Sequence, residues 1–483
     1  MNKTSFYLLL SFCLKLTLTP AQNQLTLNSV ISMAKNQSPA AKQAETRKEN
    51  RYWEYRQFKS NYNPQLRLNG NIPGYNRDFA RNNIGEFQSR EQFTSFLNLG
   101  LDQPLFPTGG NISINTSLDY FNDATSDFTQ YNTTVVNVRL DQPIFAFNRL
   151  KWDKKIEPIR YEESKRSVVE ELEFIARESI DRYFSYLDAQ INLQIAQFNL
   201  ANNDTIYRIE QGRYNIGTTS KDKLLQVELQ LLRSRQDVAQ AKLDLETSGL
   251  RLRSYIGLND SDMQIINLAL PEAVPQFEVT YATALDYAKK NRSDFIAFER
   301  RRLEAERDVA DARGRRFESN LSASFGYNSL SEDFTETYDD PLSQQRIDLS
   351  LSIPLLDWGR NQARMKTALA NQRLTEFTIA QDEQIFEQEV LVQVRQFDVL
   401  RTQLEITKKS DEVAQERYLV AQNRYLIGKI DITNLNIALD EKDQAKRSYI
   451  NALRAFWVAY YDLRRLTLYD FAEGKLLYTR DEG

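Results

Sequence analysis

Whatever chemistry this chain performs, it performs without imidazole and nearly without thiol. Its 483 residues contain no histidine and one cysteine, Cys13, so an imidazole base, a thiolate nucleophile and a His/Cys metal site are all unavailable. The reactive groups that remain are 66 acidic and 62 basic side chains, and carboxylates or lysines can still act as acids, bases or cation ligands. The acidic residues are spread along helical patterns among charged neighbours, which is how solvated helix faces look. One denser run, Glu332, Asp333, Glu336, Asp339 and Asp340, could hold cations, but it falls between two strand patterns and reads as an external loop. No GxxxxGK[ST] phosphate loop is present. The residue types define no catalytic centre, no metal site and no cofactor site, and argue against an enzyme.

The most distinctive residues instead occur twice. Gln211-Gly-Arg213-Tyr214-Asn-Ile216-Gly217 is echoed by Gln422-Asn-Arg424-Tyr425-Leu-Ile427-Gly428. Each copy follows one long helical pattern and precedes another, so Gly217 and Gly428 sit where a helix must stop and the chain must double back. The glycines are 211 positions apart, and the same offset carries Pro143 onto Pro354, Arg149 onto Arg360 and Leu252 onto Leu463. After each tip, apolar or small residues recur at spacings of three and four: Val238, Ala241, Leu245, Ser248, Leu252, Tyr255, and Tyr449, Ala452, Phe456, Ala459, Leu463, Leu466. That is a heptad seam, so the tips belong to two long antiparallel coiled-coil hairpins.

The elements that hold these hairpins repeat as well. The reading divides the chain into an export signal over 1–21 and two structural repeats over 22–270 and 271–483. The first repeat has a helix, strands over 64–145 and a helical hairpin over 148–257. The second has a helix over 283–319, strands over 320–355, a helical hairpin over 358–468 and a C-terminal tail. Period-two alternation marks the strands: Leu66 and Leu68, Leu97 to Leu101, Ile112 and Ile114, Val136 to Leu140, then Leu321 to Tyr327 and Ile347 to Ile353. Matching Leu66 to Leu321 leaves 44 more residues between the strands of the first repeat. They imply an added hairpin near 96–121, broken at Pro107-Thr-Gly-Gly110, which could lengthen the sheet or cap it.

An apolar face opposite a polar one over about ten residues suits a half-buried sheet or a membrane strand with a wet lumen. The start of the chain bears on that choice. Lys3, the apolar region from Phe6 to Leu18 and Thr19-Pro20-Ala21 form a secretory signal pattern that encloses Cys13. No later apolar run approaches the ~20 residues of a membrane helix, so an exported chain that crosses a membrane must do so with strands. Phe145, Phe147, Trp152 and Trp358 flank the strand ends at Pro143 and Pro354, where a membrane interface selects aromatic rings. The net charge of −4 provides no footprint for nucleic acid. A soluble periplasmic coiled-coil scaffold would explain the heptads and not the paired aromatic strand ends.

In this order, with Arg-Tyr-x-Ile-Gly at both tips and Ile353-Pro354-Leu355-Leu356-Asp357-Trp358-Gly359-Arg360 after the last strand, the chain resembles the TolC-like outer-membrane efflux proteins. The resemblance implies a homotrimer in the outer membrane of a Gram-negative bacterium. Each copy would contribute strands to a shared β-barrel, continuous with a periplasmic α-helical coiled-coil barrel. It implies a passive efflux channel with porin activity, fed by a periplasmic adaptor and, indirectly, an inner-membrane pump. A conduit for type I-like protein secretion is the alternative within the fold. The resemblance carries adaptor contact to the tip residues Arg213, Tyr214, Gly217, Arg424, Tyr425 and Gly428. It carries the periplasmic gate to Asp431 and Asn434; Asn434 and Ile437 stand where the family often has acidic residues.

Overall fold

The computed structural model describes residues 25–81, 84–258, 267–271, 274–316 and 318–478. The export signal with Cys13, residues 259–266 of the connector and the last five residues of the tail lie outside them. The chain forms two compact units, one of Lys48–Lys165 with Ser293–Ile385 and one of the remainder.

Each repeat opens with a broken helix. In the first, α1 (Leu27–Gln37) and α2 (Pro39–Ser60) are separated by Ser38 in an extended conformation. Pro39 divides the helical pattern in two and opens α2, where its missing N–H costs nothing, and Ser38 Oγ accepts from Ala41 N at 3.0 Å. In the second, the single helix expected over 283–319 is two, α5 (Tyr281–Asn291) and α6 (Ser293–Gly314), broken at extended Arg292. No proline announces this break. Tertiary bonding overrides helix propensity: Arg292 Nη1 donates to the Arg465 carbonyl at 3.1 Å. α6 ends at Gly314, short of the expected 319, where an added Cβ would lie 2.7 Å from the Phe147 backbone nitrogen.

Six antiparallel strands, β1 (Gln65–Arg81), β2 (Phe87–Leu105), β3 (Gly110–Asp123), β4 (Phe128–Ile144), β5 (Glu318–Ser331) and β6 (Leu342–Ser352), form one sheet in chain order. At the level of Leu66, cross-strand partners keep their polarity from β1 to β5. Leu66 faces Leu101, then Ile114, Val138 and Phe325 in turn, and Ala323 faces Ile347. One residue along, Arg67 faces Gly100, then Asn115, Asn137 and Gly326. Because side chains alternate along a strand, this register gives the sheet one apolar and one polar face. The apolar face is bare: Leu66, Leu68, Ile347, Leu349 and Leu351 are each about two-thirds or more exposed. Its outer edges, β1 and β6, pair on one side only.

The chain also forms two helical hairpins, whose outgoing helices begin within Lys48–Lys165 and Ser293–Ile385 and whose returning helices belong to the other unit. α3 (Arg149–Asn215) and α7 (Arg360–Leu426) each have 67 residues, and the returning α4 (Lys221–Ile256) and α8 (Ile432–Thr467) each have 36. At ~1.5 Å per residue the long arms reach about 100 Å. Of the heptad residues, Val238, Ala241, Leu252, Ala452, Phe456, Ala459, Leu463 and Leu466 are buried, and Leu245, Ser248, Tyr255 and Tyr449 are half-buried. A short pair, β7 (Tyr469–Asp470) and β8 (Lys475–Leu476), follows α8. It is fastened by Arg464, which donates to Glu173 at 2.9 Å and to Asp470 at 2.8 Å.

Candidate functional site

The hairpin tips are made by the same backbone device. Gly217 (φ 77°) and Gly428 (φ 73°) are left-handed, and beyond them Thr218 N donates to Arg213 O at 2.9 Å and Lys429 N to Arg424 O at 2.8 Å. These six-to-one bonds satisfy carbonyls that the ending helix leaves orphaned. The next helix is then capped, by Ser220 Oγ in the first copy and the Asp431 carboxylate in the second.

Above this shared turn the copies differ. Tyr214 is exposed, whereas its counterpart Tyr425 is buried among Ile206, Val227, Tyr418, Ile432 and Leu435. The Tyr425 hydroxyl donates to Glu210 Oε1 at 2.9 Å, and Arg213 Nη1 donates to the same oxygen at 2.7 Å. One carboxylate thus ties the two hairpins together, with the Arg213 guanidinium 5.7 Å from the Tyr425 ring centroid. Burial by itself would raise the Glu210 carboxyl, but the bonds from Tyr425, Arg213 and Thr219 outweigh it and hold the group below the usual range. Burial, then the Glu210 carboxylate, pushes the Tyr425 hydroxyl up to about 12. Glu210 was not singled out from the sequence; its equivalent in the second copy is Ala421, and that mismatch inside a repeat was the available signal.

The other tip residues face water. Arg424 is exposed, as are Ile216, Leu426 and Ile427, which give both tips an apolar rim. Asp431 Oδ1 accepts from the Asn434 backbone at 3.0 Å and from its side-chain amide at 2.7 Å. Those two residues are therefore bonded to each other at the start of α8.

A polar ladder joins the hairpins further along α3 and α8. Asn199 donates to Asp443 at 2.7 Å, Arg447 to Asn192 at 2.9 Å, Arg454 to Asp181 at 2.9 Å and Arg464 to Glu173 at 2.9 Å. The outer flanks of the pair are apolar. On α7, Val392, Val399, Ile406, Val413, Val420 and Ile427 fall seven residues apart and are all more than half exposed. On α4, Leu225, Leu229, Leu232, Leu243 and Leu250 form an exposed stripe of their own.

At the strand ends, Phe145 (86% exposed) and Trp358 (90%) stand in the open with left-handed backbones. Trp152 is half-buried with the Lys155 ammonium 5.1 Å from its ring centroid. Phe147 lies against Gly314, so it and Trp358, equivalent in the repeat, have different surroundings. Among the described residues no helix is long and apolar enough to cross a membrane, and no three acidic, His or Cys residues could hold a metal ion.

The family model for outer membrane efflux proteins matches residues 30–258 and 284–467. No curated protein matches the chain. Among solved structures it is similar to a membrane protein from Pseudomonas aeruginosa (17% identity, TM-score 0.67, covering 94% of this chain and 92% of that one). It is similar also to the CmeC outer membrane channel of Campylobacter jejuni (15%, 0.67, 94% and 87%) and to the MtrE outer membrane channel of Neisseria gonorrhoeae in its open state (17%, 0.63, 94% and 91%). Membership places the strands in the outer membrane and the helices in the periplasm, which sets aside the scaffold alternative. With most of its length matched, the chain belongs to the outer membrane efflux protein family and is a transport conduit, not an enzyme.

Proposed function

We propose that three copies of this chain form a passive channel that accepts small solutes from an inner-membrane pump through a periplasmic adaptor and releases them outside the cell. The observation that carries the reading is the sheet: apolar on one face, polar on the other, and unpaired at both β1 and β6. Lipid tolerates no open strand edge, so such a sheet must close, and repetition around an axis pairs each β6 with a neighbour's β1. The stripes on α4 and α7 support the same head-to-tail ring, since each lacks an apolar partner within its own chain.

The exposed Tyr214 and Arg424, the half-buried Arg213 and the turns at Gly217 and Gly428 present the adaptor surface, and Tyr425 braces it from inside. Asp431 and Asn434 line the constriction. Unheated against heated gel mobility of the detergent-extracted protein, joined to single-channel conductance, tests the conduit. A heat-modifiable trimer with a pore is expected, and salt-extractable protein without conductance would sink it. Asp431→Ala and Asn434→Ala channels should differ in conductance from the parent; no change in either removes their gate role. Secretion of a protein substrate through a partner exporter is the reading that a cargo assay would favour if small solutes fail to pass.

A further inference from the structure

The two hairpins that the sheet takes from the first repeat end in copies of one motif. Leu97-Asn98-Leu99-Gly100-Leu101-Asp102-Gln103-Pro104-Leu105-Phe106 ends β2, and Val136-Asn137-Val138-Arg139-Leu140-Asp141-Gln142-Pro143-Ile144-Phe145 ends β4. The copies make equivalent bonds. Gln103 donates to the carbonyls of Pro104 at 2.8 Å and Tyr62 at 3.0 Å, the latter just before β1; Gln142 donates to those of Pro143 at 2.9 Å and Thr108 at 3.2 Å, the latter just before β3. Each aspartate accepts from the strand that follows, Asp102 from Asn111 at 3.4 Å and Asp141 from Ser322 at 2.9 Å. A segment that merely capped a barrel would not reproduce the strand-end bonding of the wall, nor carry the apolar row of Leu66, Leu101, Ile114 and Val138 in register across four strands.

We infer that β1–β2 and β3–β4 are duplicated hairpins lying in line in one wall, and that the closed channel is correspondingly wide, with an external mouth that admits solutes of peptide or oligosaccharide size. The inference rests on the three-copy channel proposed above. Three copies of a six-stranded sheet close with eighteen strands. With strands ~4.8 Å apart and tilted ~40°, such a barrel is about 36 Å across between backbones, against about 24 Å had each copy brought four. After side chains are allowed for, roughly 25 Å of lumen remains, in the range where barrels keep an aqueous channel.

Cysteine accessibility tests this on the full chain, because Cys13 is the only native cysteine and can be replaced by serine throughout. Ile114 pairs with Val138 and Asn115 with Asn137, so four single variants, Ile114→Cys, Asn115→Cys, Val138→Cys and Asn137→Cys, sample both faces of β3 and β4 at one level. In intact outer membranes treated with a membrane-impermeant maleimide, Asn115→Cys and Asn137→Cys should label while Ile114→Cys and Val138→Cys stay shielded by lipid. Labelling at Ile114→Cys with Val138→Cys shielded would overturn the in-line wall and leave the channel standing. Labelling at both would overturn the channel itself. For width, a deletion of residues 102–140 fuses the two motif copies into one hairpin. Graded poly(ethylene glycol) added from the outer side should enter the parent pore up to a radius about 1.5-fold larger or more than it enters the deleted one. Equal cut-offs would overturn the wide mouth, and if the deletion does not insert, the labelling pattern and the parent's own cut-off decide.

Discussion

The Tyr425 hydroxyl on the second hairpin donates a hydrogen bond to Glu210 on the first, across 2.9 Å, where both side chains are nearly shielded from water. The bond couples two tips that share a sequence and a turn yet are otherwise built differently. Because a hydrogen bond to a charged group contributes about 1.5–3 kcal/mol, Tyr425→Phe should loosen the tips by that order. Higher conductance and faster amide exchange at the tips would register it. Glu210→Gln should do the same, and the two together little more than either alone; additive effects would show that the residues act separately.

The same pair sets a pH window. The Glu210 carboxyl is depressed in the folded chain, so its contribution is present above the ordinary glutamate range and is lost as pH falls through the lowered value. The Tyr425 hydroxyl is raised to about 12, so its contribution is intact below the ordinary tyrosine range near ~10 and is lost as pH rises through about 12. Tip protection in hydrogen exchange, scanned with pH, should form a plateau between these limits, and in Tyr425→Phe the alkaline fall should shrink to the part owed to the neighbouring Tyr418, whose buried hydroxyl is also raised.

Arg464 is the support of a buried charge cluster. It stands between Glu173 and Asp470, which are 3% and 1% exposed, with Lys35 on Glu173 and the Tyr460 hydroxyl on Asp470. Arg464→Met removes the charge and leaves two carboxylates under-compensated, at a cost of about 3–5 kcal/mol. A denaturant midpoint close to the parent's would contradict this.

The stripe on α7 should fail at a single charge. Val413→Asp puts a carboxylate at the middle of a seam that the proposed ring buries, forfeiting roughly 1.5 kcal/mol or more of apolar burial at every interface besides the desolvation of the charge. Unheated gels should then show monomer. A trimer of unchanged heat stability would mean that the stripe faces water in the assembly.

At the turns, Gly217 and Gly428 have open space around a would-be Cβ, so strain and not clash governs substitution there. Alanine at either left-handed position should cost about 1–2 kcal/mol. Gly314→Ala differs in kind, because its Cβ meets the Phe147 backbone; the helix end or the strand-end loop must move, and a larger drop in melting temperature is expected.

Much of this was open to reading from the chain. The seam from Tyr449 to Leu466 packs as its three-four spacing demands, since a helix face is a local property of residue order. The alternation in β2 and β4 likewise identified which side chains share a face. Neighbour choice was not local: nothing in Leu97 to Leu101 says whether β2 lies beside β1 and β3 or outside them, and only the cross-strand register resolved it. Glu210 escaped notice for a related reason. Its partner Tyr425 is 215 residues away in sequence, and a repeat draws the eye to what its copies share. Trp358 and Phe147 occupy equivalent places in the repeat, yet one is bare and the other lies against Gly314, because β4 has β5 beside it within the chain and β6 has no such neighbour.

The matched arms of the two hairpins limit how this chain could have changed over time. With 67 residues out and 36 back in both copies, adding one residue to one arm would turn everything beyond it by about 100° and advance it ~1.5 Å. The bond between Glu210 and Tyr425 would then fall out of reach. Helical length can therefore drift only by coordinated changes in both repeats. A sheet that is extended sideways is under no such constraint, and it is there that the first repeat has a hairpin the second lacks.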